Sequence, residues 1–138
     1  MRDRAQLDWR WVAHPEKRCR IALARRGREL LGYAVLVRGD FDGERDLALV
    51  ADWLVAPGEP AATAALLAWI AARARLDGLG TLTTIVPDSA PEWLELQRAG
   101  FRVAPTRYFV IGKQYRRRYD VHWMNRHWYY TLGDTDLV

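Results

Sequence analysis

The segment 51–75, with the sequence ADWLVAPGEPAATAALLAWIAARAR, constrains the fold more than any other part of the chain. It opens with an apolar stretch typical of a strand, turns at a Pro/Gly loop, and continues as an alanine-rich helix predicted from about Ala61 to Leu76. The stretch TLTTIV at 81–86, which is rich in β-branched residues, then predicts a short strand. Because strands joined through a helix lie parallel, these two strands should be parallel neighbours.

Three strands joined by short loops are predicted ahead of this helix. In the first, Cys19, Ile21 and Leu23 alternate with arginine and alanine, as in a half-buried strand. The second, ELLGYAVLV at 29–37, is apolar enough to be covered on both faces, and the third, LALVADWLV at 47–55, is almost wholly apolar. The loops between them contain glycine and are short, which predicts an antiparallel meander.

Two more elements are predicted after residue 86. PDSAPEWLELQRAGF at 87–101 predicts a second helix that ends at Gly100, with Ser89 and Glu92 at the spacing of a capping box. TRYFVIGKQY at 106–115 predicts a further strand. The tail that follows is aromatic and less periodic.

Length and composition indicate one domain, with a lead-in at 1–18, a core at 19–112 and an aromatic tail at 113–138. Half of the residues are hydrophobic, which supports a core and argues against disorder. The chain contains no run of about 18 apolar residues, so no membrane span is expected. The charged N-terminus lacks the apolar centre of a secretion signal. A single cysteine, Cys19, fits a reducing compartment, so a cytoplasmic location is expected.

Charge is distributed unevenly, although the net charge is only +4. Residues 1–28 hold nine Lys/Arg and three acids, residues 29–96 hold four and eleven, and residues 97–138 hold eight and three. Basic ends attract phosphates, including those of a nucleotide cofactor or of nucleic acid. Arginines interleaved with aromatic side chains at 107–130 suit single-stranded nucleic acid, but suit an aromatic sheet edge equally well. Nucleic acid is therefore not the expected partner.

The order of elements and two local patterns resemble the GNAT superfamily of acyl-CoA N-acyltransferases. WLVAPGEPAATAALLAWIAARARLDG at 53–78 is similar to that family's cofactor strand, pyrophosphate loop and helix. TIVPDSAPEWLELQRAGF at 84–101 is similar to its next strand and to a helix that closes in Gly-Phe. The resemblance covers about residues 21–111. It implies an α/β (α+β) fold with a mixed, mostly antiparallel twisted sheet and two main helices, and transfer of an acetyl or acyl group from acyl-CoA to an amine.

Two departures from the family pattern bear on function. The family usually opens with a strand and two helices on the acceptor side, whereas only about twenty residues precede the first strand here. These front elements are therefore expected to be missing, or supplied by a partner or a swapped tail. The family's loop also has a basic or Gln residue and closely spaced glycines, whereas PGEPAATAA at 57–65 has one glycine. A non-catalytic GNAT-like module that pairs with another domain or chain is the alternative to an enzyme.

The resemblance implies that acetyl-CoA, or another acyl-CoA, is held by six residues: Leu54, Val55, Gly58, Ala61, Ala62 and Thr63. Free N–H groups at a helix start can donate to an anion, and the helix dipole adds about 0.3–1 kcal/mol. Pro60 removes one donor, and Glu59 would repel phosphates. Glu59 could instead cap the helix without any ligand.

Catalysis would need a base for the amine and an acid for the leaving thiolate. Asp52, the acid in the third strand, is the candidate base if it faces the cleft; an edge position or a salt bridge to an arginine is the alternative. The family often has a tyrosine acid four residues before the Gly of Gly-Phe, where this chain has Leu96. Tyr108 is the candidate replacement, with Tyr129 and Tyr130 as alternatives.

No metal site is expected. His122 and His127 are five residues apart, which does not place both on one helix face, and no cysteine pair lies nearby. The two acids of the sequence DTD at 134–136 are more typical of a solvated terminal turn than of a Mg²⁺ site.

The expected lack of the front elements also bears on the oligomeric state. Without them, one face of the sheet should be partly uncovered. An open apolar face of several hundred Å² is rarely left in water. The tail carries Trp123, Trp128, Tyr129 and Tyr130, which are suited to packing or to interfaces. We therefore expect a homodimer, or a tail folded back over the sheet.

Overall fold

The computed structural model describes residues 2–15, 19–108, 119–135 and 138. Its strands are β1 (Cys19–Arg26), β2 (Glu29–Phe41), β3 (Glu44–Val55) and β4 (Leu82–Thr84). Its helices are α1 (Arg4–Leu7), α2 (Pro60–Leu76), α3 (Pro91–Arg98) and α4 (Val121–His127), with a π-helical turn at Asp8–Val12 and a 3-10 turn at Leu132–Asp134. Within the described ranges, the strands form one sheet in the order β1-β2-β3-β4.

The sheet confirms the predicted meander and crossover. β1 pairs with β2 and β2 with β3, both antiparallel, and β4 lies parallel to β3 after α2. α2 spans nearly the predicted range, because Pro60 supplies the fixed φ that suits the first helical position. The helix ends where Gly78 adopts a positive φ of 73°.

α2 covers one face of the sheet. Its buried residues recur every four positions and form a narrow apolar stripe, namely Ala62, Leu66, Ile70 and Ala74. They pack against alternate residues of the two central strands, including Ala34, Leu36, Ala48 and Val50. From β1, the small side chains of Ala22 and Ala24 contact this cluster. One side of α2 therefore packs against one face of the sheet.

Both ends of the chain cover the opposite face. Trp11, from the π-helical turn, packs with Tyr33, Val35 and Ala51. Leu132, from the tail, packs with Phe41, Leu47 and Leu49. The tail therefore folds back over the sheet, which is one of the two arrangements predicted for covering this face.

The predicted capping box of the second helix is wrong. The N-cap of α3 is Ala90, because Pro91 takes the first helical position and leaves Ser89 one residue too early to cap. The Ser89 hydroxyl donates instead to the carbonyl of Asn125 in α4. Glu92 is thus not a capping residue.

The further strand predicted at 106–115 can be compared with the structure over only part of its length. Residues 106–108 are described and have irregular backbone. The remainder of that segment lies outside the described residues.

Candidate functional site

β3 and β4 part just before the predicted acyl-CoA residues, which begin at Leu54. The strands pair only at Ala48, Leu49 and Val50 of β3, and β3 then continues to Val55 after β4 has ended. On the other side of β3, the Ala56 N–H donates to a β2 carbonyl at 2.8 Å. Because backbone groups alternate in direction along a strand, those of Val55 point away from β2. We call residues 51–55 on this side the open edge. Ala51, Asp52 and Trp53 are buried, so an extended ligand can reach this edge only at Leu54 and Val55.

The start of α2 has fewer free donors than its sequence suggests. The amides of Ala62 and Thr63 both donate to the Glu59 carbonyl, at 3.1 and 3.2 Å, so they are partly occupied. Gly58 has a φ of +80°, and a Cβ built on it would meet no atom within 4 Å. The loop is therefore accessible from solvent, but it offers an anion a weaker grip than a glycine-rich loop would.

Glu59 lies at the N-cap position of α2, but its side chain does not cap the helix, which was one of its two predicted roles. Its side chain makes no capping hydrogen bond and pairs with Arg26 at the β1–β2 hairpin. The hydrogen bond and charge of Glu59 raise the pKa of Arg26. The carboxylate beside the loop is thus compensated by a cation that could itself face a phosphate.

Asp52 lies at the centre of a buried network and is only 3% exposed. Its two oxygens accept from five donors: Arg2 Nε at 3.0 Å, the Tyr33 hydroxyl at 2.9 Å, the Trp53 amide at 2.9 Å, the Thr131 hydroxyl at 3.2 Å and Trp11 Nε1 at 3.4 Å. Burial opposes the charge on Arg2, but the carboxylates of Asp52 and Asp134 outweigh it and raise the pKa of Arg2. Asp52 therefore forms the salt bridge that was the alternative to a catalytic role, and both of its oxygens are engaged.

The network fastens both chain ends to β3. Arg2 donates to the Thr131 hydroxyl at 3.1 Å and to the Asp134 carboxylate, which also accepts from the Thr131 amide at 2.8 Å. A Cβ on Gly133 would lie 2.9 Å from the Ala51 carbonyl oxygen and 2.7 Å from the Trp11 ring. The tail thus crosses β3 in direct contact, at a place where only glycine fits.

Tyr129 brings a hydroxyl to the open edge. It donates to the Trp53 carbonyl at 2.7 Å, and the Arg2 guanidinium lies 5.1 Å from its ring centroid. Burial, followed by the nearby carboxylate of Glu92, raises the pKa of Tyr129. The hydroxyl therefore keeps its proton at neutral pH and uses it in the hydrogen bond to the Trp53 carbonyl.

Glu92 is a candidate that the sequence analysis missed, because its spacing from Ser89 indicated a capping role. In the structure its Oε2 is buried and has no hydrogen-bond partner among the described residues. Its carboxylate contributes to the raised pKa of Tyr129, whose hydroxyl reaches the open edge. Buried polar atoms without partners are rare and often mark a bound water, a ligand or a catalytic group.

Tyr108 lies apart from the other predicted site residues. Its ring packs against Phe41, with the centroids 5.2 Å apart, and Phe41 pairs with Glu44 at the start of β3. The open edge is at the other end of β3, on the order of 30 Å away at about 3.3 Å per residue. The structure thus brings Tyr129, and not Tyr108, to Leu54 and Val55.

In the ranges that the structure describes, no group of three or more His, Cys, Asp or Glu side chains could hold a metal ion. His127 Nδ1 lies 2.8 Å from the Trp123 carbonyl oxygen. None of the helices described is both long enough and apolar enough to cross a membrane.

The mixed, mostly antiparallel sheet with its crossover helix defines an acetyltransferase-like fold. A solved structure that the chain resembles is a Pyrococcus furiosus protein described as a candidate acetyl transferase. The two are 20% identical over 72% of this chain and 68% of that one, with a TM-score of 0.58. No protein-family model and no curated protein matches the chain. At this identity the likeness shows the fold alone.

Proposed function

We propose that this chain is a GNAT-like N-acyltransferase that binds acetyl-CoA, or another acyl-CoA, along the open edge and transfers the acyl group to an amine. The observation that carries the proposal is the open edge itself, where β3 runs past the end of β4 and turns through Gly58 into α2. An exposed strand edge offers hydrogen bonds to an extended arm, and a helix start attracts phosphates.

The chain's own groups fit this ligand in part. The backbone groups of Val55 and the exposed side chain of Leu54 would hold the extended arm, and Gly58 with the amides of residues 61–63 would face the phosphates. Two of those amides are shared with the Glu59 carbonyl, but Arg26 adds a cation beside the loop. When bound, acyl-CoA would supply the activated acyl group.

We assign the proton-handling roles to Glu92 and Tyr129. Glu92 has a carboxylate oxygen with no partner among the described residues, so this oxygen is available to accept the proton of an amine. Tyr129 holds a proton at the open edge, and it would have to release the Trp53 carbonyl, which now accepts its hydrogen bond, to donate that proton to a leaving thiolate. Asp52 remains a proposed catalytic residue, but its five hydrogen bonds favour a positioning role for it. Tyr108 would need to move to take part.

A non-catalytic module is the second candidate, and a specific observation favours it. The Tyr129 hydroxyl already occupies the Trp53 carbonyl, and the tail crosses β3 at Ala51. In this alternative the chain's own tail fills the open edge, and the chain acts by pairing with another domain or chain. Binding of acyl-CoA distinguishes the two functions. For either function we propose a cytoplasmic location, which the single cysteine supports.

Calorimetric titration with acetyl-CoA and with free CoA tests the proposal. We expect the native chain to bind both ligands, because most of the binding contacts are expected on the pyrophosphate arm, which both ligands contain. Glu59→Gln should bind CoA about two- to fivefold more tightly at low salt, because it removes a negative charge near the phosphates and releases Arg26. The gain should shrink as salt is added.

Glu44→Gln is the matched control, because this exposed acid lies at the opposite end of β3. It should leave the affinity for CoA unchanged. No heat of binding with either ligand at millimolar concentration would reject the acyltransferase and leave the module. Binding that Glu59→Gln does not tighten would place the phosphates away from α2.

A further inference from the structure

β1 has apolar side chains that are about half exposed. It pairs with β2 on one side and has no strand on the other side among the described residues. Ile21 is 42% exposed and Leu23 is 50% exposed. Of the alternating set Cys19, Ile21 and Leu23, only Cys19 packs against the Trp11 cluster. The cover formed by the chain ends therefore stops short of the edge.

The charges that commonly protect an edge strand are weakened here. Exposed edges are usually shielded by unpaired charged side chains that repel another strand. Arg20 lies 3.7 Å from Asp77 at the end of α2, and Arg26 pairs with Glu59. Two of the arginines of β1 are thus compensated within their own chain, so they oppose a second strand less strongly.

The sequence of β1 is complementary to itself when two copies run antiparallel. A register centred on Ala22 places Ile21 opposite Leu23 of the second copy, twice by symmetry, on the face that is uncovered. In the same register Arg20 lies opposite Ala24 and Arg25 lies opposite Cys19, so no arginine within 19–25 faces another. Arg26, which pairs with Glu59 of its own chain, would lie opposite Arg18, just before β1. The two Arg20 side chains would start about 13 Å apart along the strands, which exceeds the Debye length of about 8 Å in physiological salt.

We propose that β1 is the interface of a homodimer in which two copies join edge to edge and form one continuous sheet. The occupant is a second copy of this chain, because the edge places apolar side chains opposite each other in its own sequence and because two of the three arginines of β1 pair with acids of their own chain. The inference does not depend on the acyltransferase proposal, since the open edge of β3 lies at the other side of the sheet.

Sedimentation equilibrium at micromolar concentration tests the interface. The native chain should have the mass of two chains. Ile21→Lys or Leu23→Lys should each give the mass of one chain, because a lysine would then face an apolar side chain at both symmetric positions. Far-UV circular dichroism should be unchanged, since both side chains are half exposed. Leu94→Lys, at a residue of α3 that is 58% exposed, should remain dimeric.

The double variant Ile21→Lys/Leu23→Glu tests the register. Each lysine would then face a glutamate of the second copy, so association should return in part at low salt and weaken as salt is added. A native chain with the mass of one molecule would overturn the proposal, and so would a Leu23→Lys variant that remains dimeric. A double variant as dissociated as the single ones would overturn the register centred on Ala22.

Discussion

Replacing Asp52 by alanine should lower the free energy of unfolding by about 3–5 kcal/mol, because it breaks a buried ion pair and leaves the other ion behind. The side chain of Arg2 is only 15% exposed and would keep a single carboxylate partner, Asp134. The hydroxyls of Tyr33 and Thr131 would also lose an acceptor. The loss is to be measured by urea unfolding monitored by tryptophan fluorescence.

The exposed pair of Arg38 and Asp46 provides the control. Their side chains are 62% and 55% exposed, so Asp46→Asn removes the charge from an Arg–Asp pair that water can replace. Asparagine tolerates the φ of 61° at this position, so we expect no measurable change in the free energy of unfolding. If Asp52→Ala were as stable as Asp46→Asn, the network would not be what fastens the chain ends to β3.

Leu132→Ala should lower the free energy of unfolding by about 2–5 kcal/mol, the usual range for truncating a fully buried leucine. Leu132 has no exposed surface and packs on Phe41, Leu47 and Leu49 of the sheet. The cavity would loosen the tail, so trypsin should cleave at Arg126 faster than in the native chain. Urea unfolding and limited proteolysis measure the two effects.

Leu76→Ala is the matched substitution, at the 77% exposed last residue of α2. It should leave both the stability and the cleavage rate close to native. Equal stability for the two variants would mean that the tail does not hold the covered face together.

The strand order and the crossover could be predicted because their signals are local. Apolar runs separated by short glycine turns indicate the meander, and a strand followed directly by a long helix indicates the parallel return. The limits of α2 were also predictable, since Pro60 and Gly78 mark its two ends. These residues act through their own backbone and need no distant partner.

The candidate site was less predictable because its contacts are distant in sequence. Asp52 bonds to Arg2, fifty residues away, and to Thr131, seventy-nine residues away, and no local pattern marks such partners. Ser89 and Glu92 show the opposite error, since their spacing fitted a capping box that Pro91 displaced by one residue. The exposure of Ile21 and Leu23 could not be predicted either. The alternation of apolar residues along β1 shows that they share a face of the sheet, but it does not show what covers that face.

Amide chemical shifts recorded during a CoA titration test the central claim most directly. If acyl-CoA binds along the open edge, the largest changes should fall on Val55, Gly58 and Ala61, with a smaller change at Tyr129. Saturable changes confined to these amides are the predicted result. No change at millimolar CoA, or changes concentrated around Phe41 and Tyr108 at the far end of β3, would contradict the account.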